Sequence, residues 1–179
     1  MRSFASVNPM PPQAVTVWHS RSPDETRSLA RGLAAAVARE GAVVSLVGPL
    51  GAGKTEFAKG VAEGFGLDAA AVASPSFTIA SELPIAAGRL VHADWFRVGS
   101  LAELEAAGLD DWLAPGTMLV VEWGDRFPEA LGGDALDVRL EETAPGERRV
   151  TASARGPRAE GVLARWRERC PSGGSEPCR

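Results

Sequence analysis

Gly48-Pro49-Leu50-Gly51-Ala52-Gly53-Lys54-Thr55 decides how the rest of this sequence is read. It matches G-x-x-x-x-G-K-[ST], a loop whose backbone N–H groups cradle phosphate. Of 19 basic residues only Lys54 and Lys59 are lysine, so a chain that otherwise uses arginine has lysine at the motif position. Glycine at 48, 51 and 53 permits backbone conformations that a Cβ forbids, and lets the chain approach a ligand closely. Successive N–H groups then form an anion-binding nest closed by a helix N-terminus. The Lys54 ammonium is a compact charge suited to β- and γ-phosphates, and the Thr55 hydroxyl is placed for Mg²⁺. The flanks agree with the motif. Val43–Val47 is a short strand-like run, and Phe57, Ala58, Val61, Ala62 and Phe65 repeat with a helical period that Gly66 stops.

Outward from the loop, Ala14–Trp18 reads as a strand. Ser22-Pro23-Asp24-Glu25 reads as a helix start, with Ser22 as N-cap, and apolar spacing carries that helix to about Arg39. Phe77–Leu83 and Arg89–Phe96 are strand-like, parted by a turn region at Pro84 and Gly88. Ser100-Leu101-Ala102-Glu103 is a second capping box, opening a helix that ends at Gly108. Thr117–Trp123 is a buried strand. Ala135–Glu142 and Arg148–Ala154 alternate around Pro145-Gly146 as an antiparallel hairpin, and Ala159–Arg169 forms a final charged helix. This order implies an α/β protein: a compact P-loop NTPase with a mixed, mainly parallel central sheet flanked by helices and an antiparallel C-terminal hairpin. Residues 1–13 are expected to be a disordered lead-in and 14–155 the P-loop domain. Residues 156–179 are expected to form a solvated Arg-rich helix and a flexible tail.

Composition narrows the function classes. With 179 residues and 45% hydrophobic content the chain fits one soluble domain with a sizeable core. Its net charge of −4 lacks the basic footprint of a protein that holds nucleic acid by itself. No apolar run approaches the roughly 18 residues of a membrane span. Cys170 and Cys178 lie among Pro, Ser and Gly near the end, where thiols staple no core, which points to a reducing cytoplasm; a disulfide between them is open and is expected to be of no consequence.

A phosphate loop needs a second acid near the metal for hydrolysis. Two strand ends compete: Glu122 after Met118-Leu119-Val120-Val121, and Asp94 after Leu90-Val91-His92-Ala93. Either would project into the crevice at the carboxyl ends of the strands. Ser74-Pro75-Ser76-Phe77-Thr78 is either a switch that senses γ-phosphate or a Ser-Pro turn ahead of a strand. His92 reads as a packed strand histidine rather than a base. Trp123 lies against a base or a partner, or packs in the core.

Taken in order, Gly48–Thr55, Ser74–Thr78, His92-Ala93-Asp94-Trp95-Phe96-Arg97, Glu103-Leu104-Glu105 with Gly108, and Glu122-Trp123 resemble the bacterial tRNA threonylcarbamoyladenosine biosynthesis ATPase family, TsaE. The resemblance covers about residues 14 to 155. It implies ATP and Mg²⁺ as ligands. Pro49, Leu50, Gly51, Ala52, Gly53, Lys54, Thr55, Glu56, Ser76 and Trp123 would line the nucleotide. Thr55 and Glu122 would hold the metal, with Lys54 and Asp94 catalytic and Asp94 directing the attacking water. It implies a TsaB–TsaD pair as partner, with TsaC supplying threonylcarbamoyl-adenylate. The pair modifies adenosine 37 of tRNAs that read codons starting with A, so tRNA is met only through the complex, and ATP turnover resets that complex.

Three residues depart from the family pattern. Ser76 stands for a common threonine and keeps the hydroxyl. Phe96 stands for a common tyrosine and loses one hydrogen bond. Glu56 replaces a frequent second threonine, bringing a carboxylate that either turns along the helix surface or weakens nucleotide binding. The chain has neither N-K-x-D nor D-x-x-G, against a GTPase. A small-molecule kinase is the enzyme alternative, with Arg97 and Arg126 recruited to a lid, and a nucleotide-gated binding module is a third class.

Overall fold

A computed structural model describes residues 15–37, 40–72, 75, 78–171 and 178. Seven strands form one sheet in the order β1-β7-β6-β2-β5-β4-β3. The strands are β1 Val15–Ser20, β2 Ala42–Val47, β3 Ala80–Ile85, β4 Gly88–Asp94, β5 Thr117–Glu122, β6 Ala135–Ala144 and β7 Glu147–Arg155. The central four, β6-β2-β5-β4, are parallel, and β1, β7 and β3 add antiparallel at the two edges. The expected mixed α/β sheet with a C-terminal hairpin is therefore present. Every residue of β2 and β5 is buried, as strands covered on both faces require, and this explains why both are mostly apolar, Ser45 being the polar residue inside β2.

Helices divide between the faces. On one side α1 (Pro23–Ala36), α2 (Lys54–Gly64) and α5 (Pro157–Arg169) pack over Val44, Leu46, Val120 and Val138. On the other, α3 (Leu101–Ala107) and α4 (Leu109–Trp112) cover Val43, Val91, Leu119 and Val121. Both serines cap their helices, and the two glutamates reach back one residue further, to the N–H groups of Arg21 and Gly99. Ser22 accepts from Glu25 N at 3.1 Å, and Ser100 accepts from Glu103 N at 3.3 Å. Gly60 of α2 lies so close to α1 that a Cβ there would stand 2.5 Å from the Arg27 carbonyl oxygen; the two helices pack backbone to backbone.

Several expectations shift. Helix α1 ends at Ala36 rather than near Arg39. Strand β3 begins at Ala80 and carries Pro84 inside it, which an edge strand tolerates because it has an unpaired side. Helix α4 was not anticipated, being too short to show a period.

Two corrections concern the C-terminus. Helix α5 is not merely solvated: Ala159, Val162, Leu163 and Trp166 are buried against the same core, and its arginines occupy the outer face. Trp166 stacks at 4.3 Å on Trp18, and its Nε1 donates to the Leu29 carbonyl at 3.0 Å. Nor are the cysteines idle. Cys170 and Cys178 form a disulfide, Cys170 is buried beside Gly32, and its carbonyl accepts from Trp18 Nε1 at 2.6 Å. The arginine-rich composition of the segment hid its apolar stripe. Among the described residues no helix is long and apolar enough to cross a membrane.

Trp166→Ala is expected to lower unfolding free energy by about 3–5 kcal/mol, the cost of emptying a large aromatic site in a core. Urea denaturation measures it; a change within about 0.5 kcal/mol, the surface norm, would return α5 to the status of an appendage.

Candidate active site

The chain leaves β2 at Val47 and turns through a loop in which Gly48, Gly51 and Gly53 all have positive φ. Gly53 caps α2 with φ 100°, a conformation that favours glycine, and a Cβ there would stand 2.7 Å from Arg148 Nε and displace that side chain. Lys54 follows as the first helical residue and is only 4% exposed. Its ammonium donates to the carbonyl oxygens of Gly48 at 2.7 Å and Pro49 at 2.8 Å. It also lies 3.7 Å from the centre of the Trp123 ring, a cation–π contact. Burial pushes the Lys54 pKa down, while the carboxylates of Glu122, Asp94 and Asp125 act in the opposite sense.

Glu122 ends β5 beside this lysine. Thr55 Oγ1 donates to its carboxylate, 2.9 Å from one oxygen and 3.1 Å from the other. From the opposite side His92 Nε2 lies 3.0 Å from Glu122 Oε1, both groups buried. An ionised carboxylate only accepts, so His92 donates through Nε2. His92 is thus a packed strand residue, as expected, and it holds the Glu122 carboxylate in place. Parallel pairing of β4 with β5 sets Asp94 directly opposite Glu122. Asp94 is 5% exposed, and its Oδ1 accepts from Phe96 N at 2.9 Å. Trp123 takes φ 62°, rare for a bulky residue, and this turn lays its ring on Lys54 and against Phe96 at 5.0 Å.

A cleft of about 380 Å³ joins these groups. Leu50, Gly51, Gly53, Lys54, Thr55, Glu56, Asp94, Glu122 and Trp123, all singled out from the sequence, line it. Pro49 contributes its carbonyl to Lys54, and Ala52 is buried with its carbonyl turned to Arg148. Ser76 lies outside the described residues. The Glu56 carboxylate runs along the helix surface, bonded to Lys59 Nζ at 2.7 Å and 3.6 Å from Arg27 Nη1. Phe96 and Arg148 also line the cleft. Arg148 was not anticipated: it comes from β7, 96 residues beyond its loop partner Ala52, and no local pattern marks it.

The donor set fits Mg²⁺. A hydroxyl and a carboxylate are hard oxygen ligands, and an ion that favours six oxygens would complete its shell with phosphate and water. The preceding strand, the glycine loop with lysine and hydroxyl at a helix start, and the acid at the tip of the adjacent parallel strand define a P-loop α/β protein.

Comparison with known proteins narrows this class. The family model for "Threonylcarbamoyl adenosine biosynthesis protein TsaE" matches residues 20–150. The chain is 38% identical over 143 residues to the tRNA threonylcarbamoyladenosine biosynthesis protein TsaE of Bacillus subtilis, covering 80% of this chain and 88% of that one. It is 41% identical over 139 residues to the protein of the same name from Streptomyces coelicolor, covering 74% and 92%. The crystal structure of Bacillus subtilis YdiB superposes with a TM-score of 0.70 at 33% identity, covering 88% of this chain and 97% of that one. The chain belongs to the TsaE family.

Lys54→Ala is expected to abolish Mg-ATP binding, since the phosphates lose their buried cation; near-normal affinity by calorimetry would remove the loop from the nucleotide site. Glu122→Ala is expected to flatten the Mg²⁺ dependence of ATP binding, and an unaltered Mg²⁺ titration would transfer the metal to Asp94.

Proposed function

We propose that this chain binds and hydrolyses Mg-ATP during formation of N6-threonylcarbamoyladenosine at position 37 of tRNA, and that turnover resets a TsaB–TsaD pair between rounds. One observation carries the reading: the Thr55 hydroxyl and the Glu122 carboxylate meet within 2.9 Å beside the buried Lys54. That trio is the minimum a P-loop site needs to grip phosphate and metal together. The names of the relatives supply the biological setting, and the proposed location, the cytoplasm, rests on that setting alone, since the Cys170–Cys178 disulfide removes the argument from free thiols.

Each residue has a defined task in this reading. The loop N–H groups and Lys54 bind and orient the β- and γ-phosphates. Thr55 and Glu122 hold Mg²⁺, which when bound neutralises charge across those phosphate oxygens. His92 keeps Glu122 from swinging away. Asp94, fixed by the Phe96 N–H, orients a water toward the γ-phosphate and accepts its proton. Trp123 and Phe96 cover the cleft and limit water around Lys54. The kinase alternative would recruit Arg97 and Arg126 to a lid, and of these Arg126 is bonded to the Val98 carbonyl at 2.9 Å.

Asp94→Asn is expected to keep ATP affinity within about threefold and lose turnover by about 100-fold or more, the usual scale for a lost general base. Unchanged hydrolysis would make Asp94 a structural acid. The whole reading is tested by tRNA threonylcarbamoylation with a TsaB–TsaD pair. Multiple turnovers are expected only when this protein and ATP are both present, and turnover independent of either would overturn it.

A further inference from the structure

Glu56 brings a negative charge to the turn where a phosphate would be received. The first helical bond of α2 runs from Phe57 N to the Gly53 carbonyl at 2.9 Å. The N–H groups of Lys54, Thr55 and Glu56 precede that ladder, and together with the helix dipole they make the anion-binding turn. The Glu56 side chain also lines the cleft. A carboxylate in a first turn stabilises the empty helix, but it repels an arriving phosphate.

Two cations hold this carboxylate. Its Oε1 accepts from Lys59 Nζ at 2.7 Å, one turn along the same helix, and its Oε2 lies 3.6 Å from Arg27 Nη1 on α1. Glutamate preceding lysine is the favourable order for such a helical pair. Arg27 reaches across because Gly60 lets α2 meet α1 at the Arg27 backbone. Arg27 is itself paired with Asp24 in the first turn of α1. Glu56 is 31% exposed and each cation 28%, so water screens the trio less than it would on an open surface. We propose that Lys59 and Arg27 are positioning residues for the nucleotide, holding the Glu56 carboxylate along the helix so that its charge does not meet the phosphates. The inference rests on the Mg-nucleotide reading above. Without the two cations the carboxylate stands uncompensated in the receiving turn, and like charge at that range lowers phosphate affinity. The pair acts through Glu56, and neither cation has to touch the ligand.

The test is a double-mutant cycle read by calorimetry with Mg-ATP on the full chain. Lys59→Met is expected to weaken ATP about fivefold, and adding Arg27→Met to deepen the loss. In a Glu56→Gln background, where no charge needs holding, Lys59→Met is expected to cost less than about twofold. Lys59→Arg keeps the ion pair, and is expected to stay within about twofold of the unaltered chain. Unchanged affinity in Lys59→Met, or a Lys59→Arg loss as large as that of Lys59→Met, would overturn the assignment. So would an equal loss with and without the Glu56 charge, which would mean that Lys59 meets the phosphates directly. Thermal melting follows folding; if Lys59→Met does not fold, Arg27→Met takes its place in the cycle, and failure of both would reduce the trio to a clamp between α1 and α2. Should the unaltered protein bind no Mg-ATP, the nucleotide reading itself falls, a result distinct from any of these.

Discussion

The buried parallel pairing of β2 with β5 is the constraint on which the rest depends. It sets Leu46 against Glu122, and the ladder continues one step further as Trp123 N donates to the Leu46 carbonyl at 2.9 Å. The strand that launches the phosphate loop and the strand that ends in the acid are thus locked to the same level. A slip of one residue would turn Glu122 to the opposite face and take it away from Thr55. Because both strands are covered on two sides, such a slip would also force every side chain to repack against the wrong helices. The placement of the acid against the loop is therefore inherited from the core, while the loop itself supplies the phosphate-facing groups.

The loop, its strand and its helix were legible because three local signals coincide within residues 43–65. Glycine spacing, an apolar run and a helical period each point to the same element order. The caps at Ser22 and Ser100 were legible for the same reason: four consecutive residues contain the serine-to-backbone bond. Glu122 and Asp94 were readable as acids at strand ends, but which of the two strands neighbours β2 was not: that is a non-local fact, given by the order β2-β5-β4.

What escaped the sequence was similarly non-local. Arg148 meets the loop only because β7 folds back beside β6. Helix α5 looked solvated because arginines dominate its composition, although Ala159, Val162, Leu163 and Trp166 keep a helical stripe. The cysteines looked like tail residues because Pro, Ser and Gly surround them. Their burial follows from Gly32 and Trp18, both more than a hundred residues earlier.

Lys54 offers a last consequence. Its ammonium is already solvated by two carbonyls of its own loop and by the Trp123 ring. Any anion arriving there competes with these internal partners, so capture is an exchange rather than a simple gain of contacts. Net affinity is then the difference between two sets of interactions rather than the sum of the new ones. Trp123, which already holds the ammonium through its ring, thereby becomes a damper on the grip of the lysine.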